Sequence, residues 1–255
     1  MIAPEIVAFA HALADAALAE TMPRFAARVA AENKAEHGFD PVTEADRAAE
    51  RAMRALIEAE HPEHGVSGEE YGARFGAGRW TWSLDPIDGT RAYVCGLPSW
   101  TTLIALLDGA DPMLGVIDAP RLGERAVGQG GRAWVNAEPA RTSGCVTLAQ
   151  ARLATTDPQL FADGEAEGWA RVRDAALVTR YGLDAYAYLR VAAGSLDLVV
   201  ESGLKPHDWH ALVPVVEGAG GFVCDWEGGR DLGPGKIVAA ASEALAREAV
   251  RLLQA

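Results

Sequence analysis

The chain has 255 residues, 49% of them hydrophobic and 23% charged, enough to bury a sizeable core and free of low-complexity tracts. Its 36 acidic and 23 basic residues leave a net charge of −13, which repels nucleic-acid phosphates, and no basic run or basic-aromatic stripe offsets that repulsion. Three widely spaced cysteines, Cys95, Cys145 and Cys224, form no Cys-x-x-Cys pair; they argue against a disulfide framework or a thiolate zinc site and suggest a reducing, cytoplasmic setting.

Residues 3 to 31 carry Ile6, Phe9, Ala10, Leu13, Ala17 and Leu18 near helical spacing and predict a first helix. No basic residue precedes this stretch, and Glu5, His11, Asp15 and Glu20 interrupt it, so it does not read as a secretory leader. No run of about 18 apolar residues occurs, so the expectation is a soluble protein that does not span a membrane. After a polar break over residues 32–41, Thr43 opens a second helix. Its apolar face is Ala45, Ala48, Ala49, Ala52, Met53, Leu56 and Ile57, and His61-Pro62 stops it. A glycine-rich loop follows Val66 to Glu70. Trp80 to Leu84, Thr102 to Leu107, Met113 to Ile117 and Arg132 to Val135 then predict strands separated by turn residues.

In the second half the spacing predicts strands at Arg152–Thr155, Leu196–Val200, Gly221–Cys224 and Ile237–Ala241. Helices are predicted at Tyr186–Ala193, His210–Gly218 and Ser242–Leu253. Helix pairs alternating with groups of strands imply layered sheets and helices, not a doubly wound dinucleotide fold. No Gly-x-Gly-x-x-Gly follows an early strand. Gly235-Lys236 runs into Ile237, and Arg230 sits where a phosphate-binding loop needs its first glycine.

The chemistry concentrates in Asp85-Pro86-Ile87-Asp88-Gly89-Thr90, placed by the pattern at the C-terminal end of a strand. Pro86 stiffens the turn and Gly89 can take φ > 0. A helix beginning near Thr90 would offer free N–H groups to an anion. Two carboxylates with a backbone carbonyl, plausibly that of Ile87, suit a hard cation such as Mg²⁺. The plainer reading is that these are turn formers and that Asp88 caps the next helix. Further carboxylates weigh against it: Glu69 and Glu70, Asp46 in Thr43-Glu44-Ala45-Asp46, and Asp208 in Lys205-Pro206-His207-Asp208. Each has its own structural alternative, a solvated pair for Glu69-Glu70, a capping box for Asp46 and an N-cap for Asp208. His207 and His210 are three apart but lack a third ligand, so they fit surface or packing roles better than zinc.

Together, Gly68-Glu69-Glu70, Asp85 to Thr90, His207-Asp208 and Glu217-Gly218-Ala219-Gly220-Gly221, with Thr43 to Asp46, resemble the inositol monophosphatase family in order and over nearly the whole chain. The resemblance implies a mixed α/β (α+β) fold layered as an αβαβα sandwich, the inositol monophosphatase or sugar phosphatase type. It implies one catalytic unit over residues 1–255, most metal ligands lying in about 1–145, and Asp208 with the substrate-side residues in about 146–255. Glu69, Asp85 and the Ile87 carbonyl would hold one Mg²⁺ and Asp85, Asp88 and Asp208 a second, with a third, weaker ion sharing Glu69. Asp46 and Thr90, with Glu69, would serve catalysis by orienting and activating water, and the amides of Gly89 and Thr90 would receive the phosphate. A homodimer is implied as well.

Members of this family cleave inositol phosphates, fructose 1,6-bisphosphate, nucleotide 3′-phosphates or histidinol phosphate. Residues 91–100 and His207 depart from the inositol-enzyme pattern, and residues 181–188 and 197–206 resemble the histidinol-phosphatase branch. The substrate side would comprise Asp88, Arg91, Asp184, Glu201 and Asp208. Carboxylates at 184 and 201 would favour a leaving group bearing an ammonium or imidazolium. Asp184 reads equally well as a surface helix residue, and Arg91 could face the substrate or a neighbouring subunit. The expectation is therefore a Mg²⁺-dependent histidinol-phosphate phosphatase of histidine biosynthesis. An inositol or related sugar or nucleotide monophosphatase is the alternative within the enzyme class, and a catalytically silent metal-binding regulatory protein is the alternative outside it. Asp46 and Thr90 weigh against the last, because a binding module needs no water activator.

Overall fold

The computed structural model describes residues 2–27, 31–33, 41–162 and 164–255. In chain order the helices are α1 (Pro4–Ala27), α2 (Glu44–Glu60), α3 (Thr90–Val94), α4 (Glu165–Ala175), α5 (Tyr186–Ala192), α6 (Pro206–Trp209), α7 (Leu212–Gly218) and α8 (Glu243–Leu253). The strands of the first half are β1 (Ala31–Asn33), β2 (Pro41–Thr43), β3 (Gly65–Gly68), β4 (Gly72–Arg74), β5 (Trp80–Asp88), β6 (Thr101–Asp108), β7 (Asp111–Ala119), β8 (Glu124–Gln129), β9 (Arg132–Val135) and β10 (Glu138–Pro139). The second half adds β11 (Arg152–Thr155), β12 (Val178–Tyr181), β13 (Leu198–Glu201), β14 (Phe222–Asp225) and β15 (Ile237–Ala240).

An eight-stranded sheet runs in the order β10-β9-β8-β7-β6-β5-β3-β4, and a five-stranded sheet in the order β12-β11-β13-β15-β14. Alternation along the strands assigns each face to a layer. On β6, Ile104 and Leu106 face a core with Leu13 of α1 and Met53 of α2, whereas Leu103, Ala105 and Leu107 face a second core with Leu189 of α5 and Val215 of α7. On β15, Ile237 and Ala239 join that second core, and Val238 and Ala240 turn to a third built on Trp169 of α4 and Leu245 of α8. The result is five layers, αβαβα, as expected. Among the described residues no helix is long and apolar enough to cross a membrane.

Three boundaries differ from the sequence reading. The first helix ends by Ala27, and Ala31 instead opens β1, because Ala31–Asn33 pairs antiparallel with Pro41–Thr43. The expected helical residues 28–30, and residues 34–40 of the polar break, lie outside the described residues. The helix predicted over 210–218 is α7, which begins only at Leu212, and a separate short helix, α6, precedes it over Pro206–Trp209. The strand at Trp80 continues through Asp88, so Asp85 lies within it and not at its end. Asp85 pairs with Leu103 and Asp88 with Thr101, which leaves one extra residue on β5, a bulge that accommodates Pro86 without a ladder N–H.

Candidate active site

That bulge sets the geometry. In a regular strand residues i and i+3 point to opposite faces; the extra residue brings Asp88 back to the side of Asp85. α6 carries Asp208 to the same place, and one carboxylate oxygen from each of Asp85, Asp88 and Asp208 lies within 4.8 Å of the others. Each is held by its backbone surroundings. The Ile87 amide donates to Asp85 Oδ1 at 3.1 Å, the Ala185 amide to Asp88 Oδ2 at 2.6 Å, and the Lys205 amide to Asp208 Oδ2 at 2.7 Å. Asp208 is the third residue of α6 and not its N-cap, which is Lys205; its carboxylate accepts from the Lys205 amide and also joins the cluster.

The cluster lines a pocket of 280 Å³ that also contains Glu69, Ile87, Gly89, Thr90, Arg91 and Asp184. Gly89 caps α3 with φ +81°, and a Cβ there would stand 2.9 Å from Asp184 Oδ2, so both backbone conformation and space call for glycine. Thr90 Oγ1 donates to the Ile87 carbonyl at 3.0 Å. Asp184 is half-buried in a turn with φ +49° just before α5, so its carboxylate borders the pocket and is not on a surface helix. A more enclosed pocket of 140 Å³ adjoins, sharing Asp88, Asp184 and Asp208 with the first and lined also by Glu201 of β13. Arg91 reaches Asp157 Oδ2 at 3.4 Å across the mouth, joining the two halves of the chain.

Asp46 does not line either pocket. It is buried at the third position of α2, where its Oδ2 accepts from the Thr43 amide at 2.8 Å and the Thr43 hydroxyl at 2.7 Å. Its Oδ1 accepts no hydrogen bond among the described residues. Burial, opposed by the Thr43 bonds and reinforced by Glu70 and Glu69, pushes its carboxyl up to about 7. The same cause dominates through the site. Burial, then Glu69, Asp88, Asp208 and Asp46, drive Asp85 well above the usual carboxylate range; burial, then Asp184 and Asp208, do the same to Asp88. Burial also raises Asp208, and lifts Asp184 to about 6 against the pull of Arg91.

Carboxylates gathered this closely resist ionising together, and among the described residues no Lys or Arg forms an ion pair with Asp85, Asp88 or Asp208. Oxygen-only donors in that state fit a hard divalent cation. A second cluster, His61, Glu63 and His64, does not. The Trp82 indole is a donor only, so His64 Nδ1 accepts from it at 3.1 Å, and His64 Nε2 keeps its proton and faces Glu63 Oε1 at 3.2 Å. His207 and His210 are also separated by role. His207 lies 3.5 Å from Asp208 Oδ1, whereas His210 Nδ1 lies 2.9 Å from Ser83 Oγ, and burial drops the His210 ring to about 4.

Glu50, which the sequence reading missed, holds the loop that carries Glu69. Fully buried, it accepts from the Glu70 amide at 2.7 Å, the Tyr71 amide at 3.2 Å and Arg54 Nε at 2.7 Å. Its signal was available: an acid on the apolar face of an amphipathic helix, one turn after Asp46. Thr155 and Thr156 bind Glu201, the hydroxyl of Thr155 at 3.2 Å and the amide and hydroxyl of Thr156 at 2.7 and 2.9 Å. Nothing in the sequence marks that partnership.

Fold and site together define a class: a layered αβαβα protein with a half-buried aspartate cluster suited to divalent cations. Comparison with known proteins narrows it. Residues 3–255 match the inositol monophosphatase family, and the chain belongs to that family. It is 49% identical over 197 residues to the chloroplastic bifunctional phosphatase IMPL2 of Arabidopsis thaliana, a match covering 76% of this chain and 57% of that longer protein. It is 38% identical over 231 residues to the histidinol-phosphatase of Streptomyces coelicolor, covering 86% of each. The solved structure of an inositol monophosphatase from Zymomonas mobilis superposes with a TM-score of 0.88 at 41% identity, covering 98% of both chains.

Proposed function

We propose that this protein is a Mg²⁺-dependent phosphomonoesterase that hydrolyses L-histidinol phosphate to L-histidinol and phosphate. The observation that carries the substrate is the placement of two carboxylates, Asp184 and Glu201, around the pocket that continues beyond the aspartate cluster. A polyol needs no anion there, whereas an amino alcohol bearing an imidazole brings nitrogen donors to both. The likeness to the Streptomyces histidinol-phosphatase supports the same reading. An inositol monophosphatase is the second reading, favoured by the Zymomonas structure.

In this account Glu69, Asp85, the Ile87 carbonyl, Asp88 and Asp208 hold two to three Mg²⁺ ions, which when bound supply Lewis-acid stabilisation of the phosphate oxygens. The amides of Gly89 and Thr90, which make no hydrogen bond to protein among the described residues, seat the phosphate. Because Thr90 gives its proton to Ile87, its oxygen lone pairs are left to accept from a water. Asp46 Oδ1 is the open acceptor for that water's proton, and a carboxyl near 7 suits a base working at neutral pH. The water oxygen attacks phosphorus, the phosphorus–oxygen ester bond breaks, and the alcohol departs with a proton. Arg91, Asp184 and Glu201 orient the leaving group. Both halves act as one catalytic unit, residues up to about 145 supplying most of the cation ligands. A cytoplasmic homodimer completes the reading. The exposed Leu177, Val178 and Tyr181, on the edge strand β12 and the residue before it, leave apolar side chains along a sheet edge open to a second copy.

The test is phosphate release from L-histidinol phosphate with Mg²⁺ and with chelator, for the wild type and Asp85→Asn. Release that requires Mg²⁺ and falls at least about a hundredfold in the variant is expected. Release indifferent to both would refute the proposal.

A further inference from the structure

The inner pocket has one wall that the proposed reaction does not use. Tyr188, in the first turn of α5, is 2% exposed, and its hydroxyl oxygen is buried without a hydrogen-bond partner among the described residues. It lines the 140 Å³ pocket together with Asp88, Asp184, Glu201, Asp208 and Leu212. A buried phenol normally finds a partner, and leaving one unmade costs free energy. Burial, with Glu201, Asp88 and Asp208 nearby, holds the phenol well above its ordinary titration range, so the group remains an O–H donor. Glu201 presents the complementary half. Its oxygens accept three bonds from Thr155 and Thr156, and in its ionised form the carboxylate has room for about four. The pocket therefore offers one donor without an acceptor and one acceptor site still open, in a lining that also includes Leu204 and Leu212.

An ammonium carries donors only and would leave the phenol unpaired. A neutral imidazole presents a lone pair on one nitrogen and an N–H on the other, in one small ring. We propose that Tyr188 is a specificity-determining residue, donating its hydroxyl hydrogen bond to the unprotonated nitrogen of a substrate imidazole whose N–H is accepted by Glu201. The proposal rests on the histidinol phosphate reading and adds to it the orientation and charge state of the ring: it is bound neutral, in one tautomer, while Asp184 takes the ammonium.

Tyr188→Phe removes the donor and keeps the ring that packs in the core. Loss of one buried hydrogen bond to a neutral acceptor corresponds to roughly tenfold in binding. KM for L-histidinol phosphate should therefore rise about tenfold with kcat within about twofold, because the contact is shared by ground and transition states. KM for O-phosphoethanolamine, which has the ammonium and no ring, and for myo-inositol 1-phosphate should not change. Tm should stay level or rise, since an unbonded buried hydroxyl is removed. An unchanged KM for L-histidinol phosphate, or an equal rise for all three esters, overturns the role of Tyr188 while leaving the reaction standing. A wild type that does not prefer L-histidinol phosphate overturns the functional reading and this proposal together.

Discussion

Glu201→Gln gives a direct test of how burial, and not charge pairing, governs this site. The Glu201 carboxyl, ordinarily near 4.5, is pushed up to about 7 by burial, which its three threonine bonds only partly oppose. Between those values the folded chain keeps a proton that the unfolded chain has released. Its contribution to stability is thus complete below pH 4.5 and lost as pH rises through 7. At about 1.36 kcal/mol per pH unit, the loss is at most about 3 kcal/mol. Glutamine fills the same volume, and its carbonyl oxygen can still accept from the Thr156 amide and hydroxyl, but it does not titrate. In urea unfolding with chelator present, the stability of Glu201→Gln relative to wild type should grow by about 2 to 3 kcal/mol from pH 5 to pH 8. A difference that stays constant within about 0.5 kcal/mol, or shrinks, would refute the reasoning.

Further outcomes follow from particular contacts. Glu50→Ala leaves Arg54 and the amides of Glu70 and Tyr71 without their buried acceptor, and should cost about 3 to 5 kcal/mol in urea unfolding. Glu50→Gln, which keeps one acceptor oxygen, should cost less but raise the Mg²⁺ concentration needed for half-maximal activity, because the Glu69 loop loosens. Gly89→Ala meets both the left-handed φ and the Asp184 carboxylate, and should lower kcat/KM at least about tenfold with a stability loss of only about 1 to 2 kcal/mol; normal kinetics would show that the turn tolerates a side chain. Cys224, buried and raised to about 11, should resist a thiol reagent at pH 8 until the chain unfolds, whereas the exposed Cys95 should react at once.

The layers, and the carboxylates that the structure gathers around the Asp85 bulge, could be picked out in the sequence because much of their cause is local. The 3.6-residue spacing of Ala45, Ala49, Met53 and Ile57 and the alternating cores of β6 each write their period into the chain. What could not be read depends on distant partners. The strand β8, Glu124–Gln129, buries only short residues, and its pairing with β7 is visible only in three dimensions. The reach of β5 through Asp88 depends on a bulge opposite Thr101, 13 residues away, and propensity assigns Asp85-Pro86 to a turn. Likewise, the sequence marks Asp85, Asp88 and Asp208 as candidates, but the open bonding site on Glu201 and the unbonded Tyr188 hydroxyl emerge only when β13 and α5 face each other across the inner pocket.

The central claim is the identity of the leaving group, and a side-by-side determination of kcat/KM for L-histidinol phosphate and myo-inositol 1-phosphate at saturating Mg²⁺ tests it most directly. Two carboxylates around the more enclosed pocket predict a preference of at least about a hundredfold for the histidinol ester, the discrimination expected from about 3 kcal/mol of charge-assisted contacts. Equal values, or a preference for the inositol ester, would contradict the account.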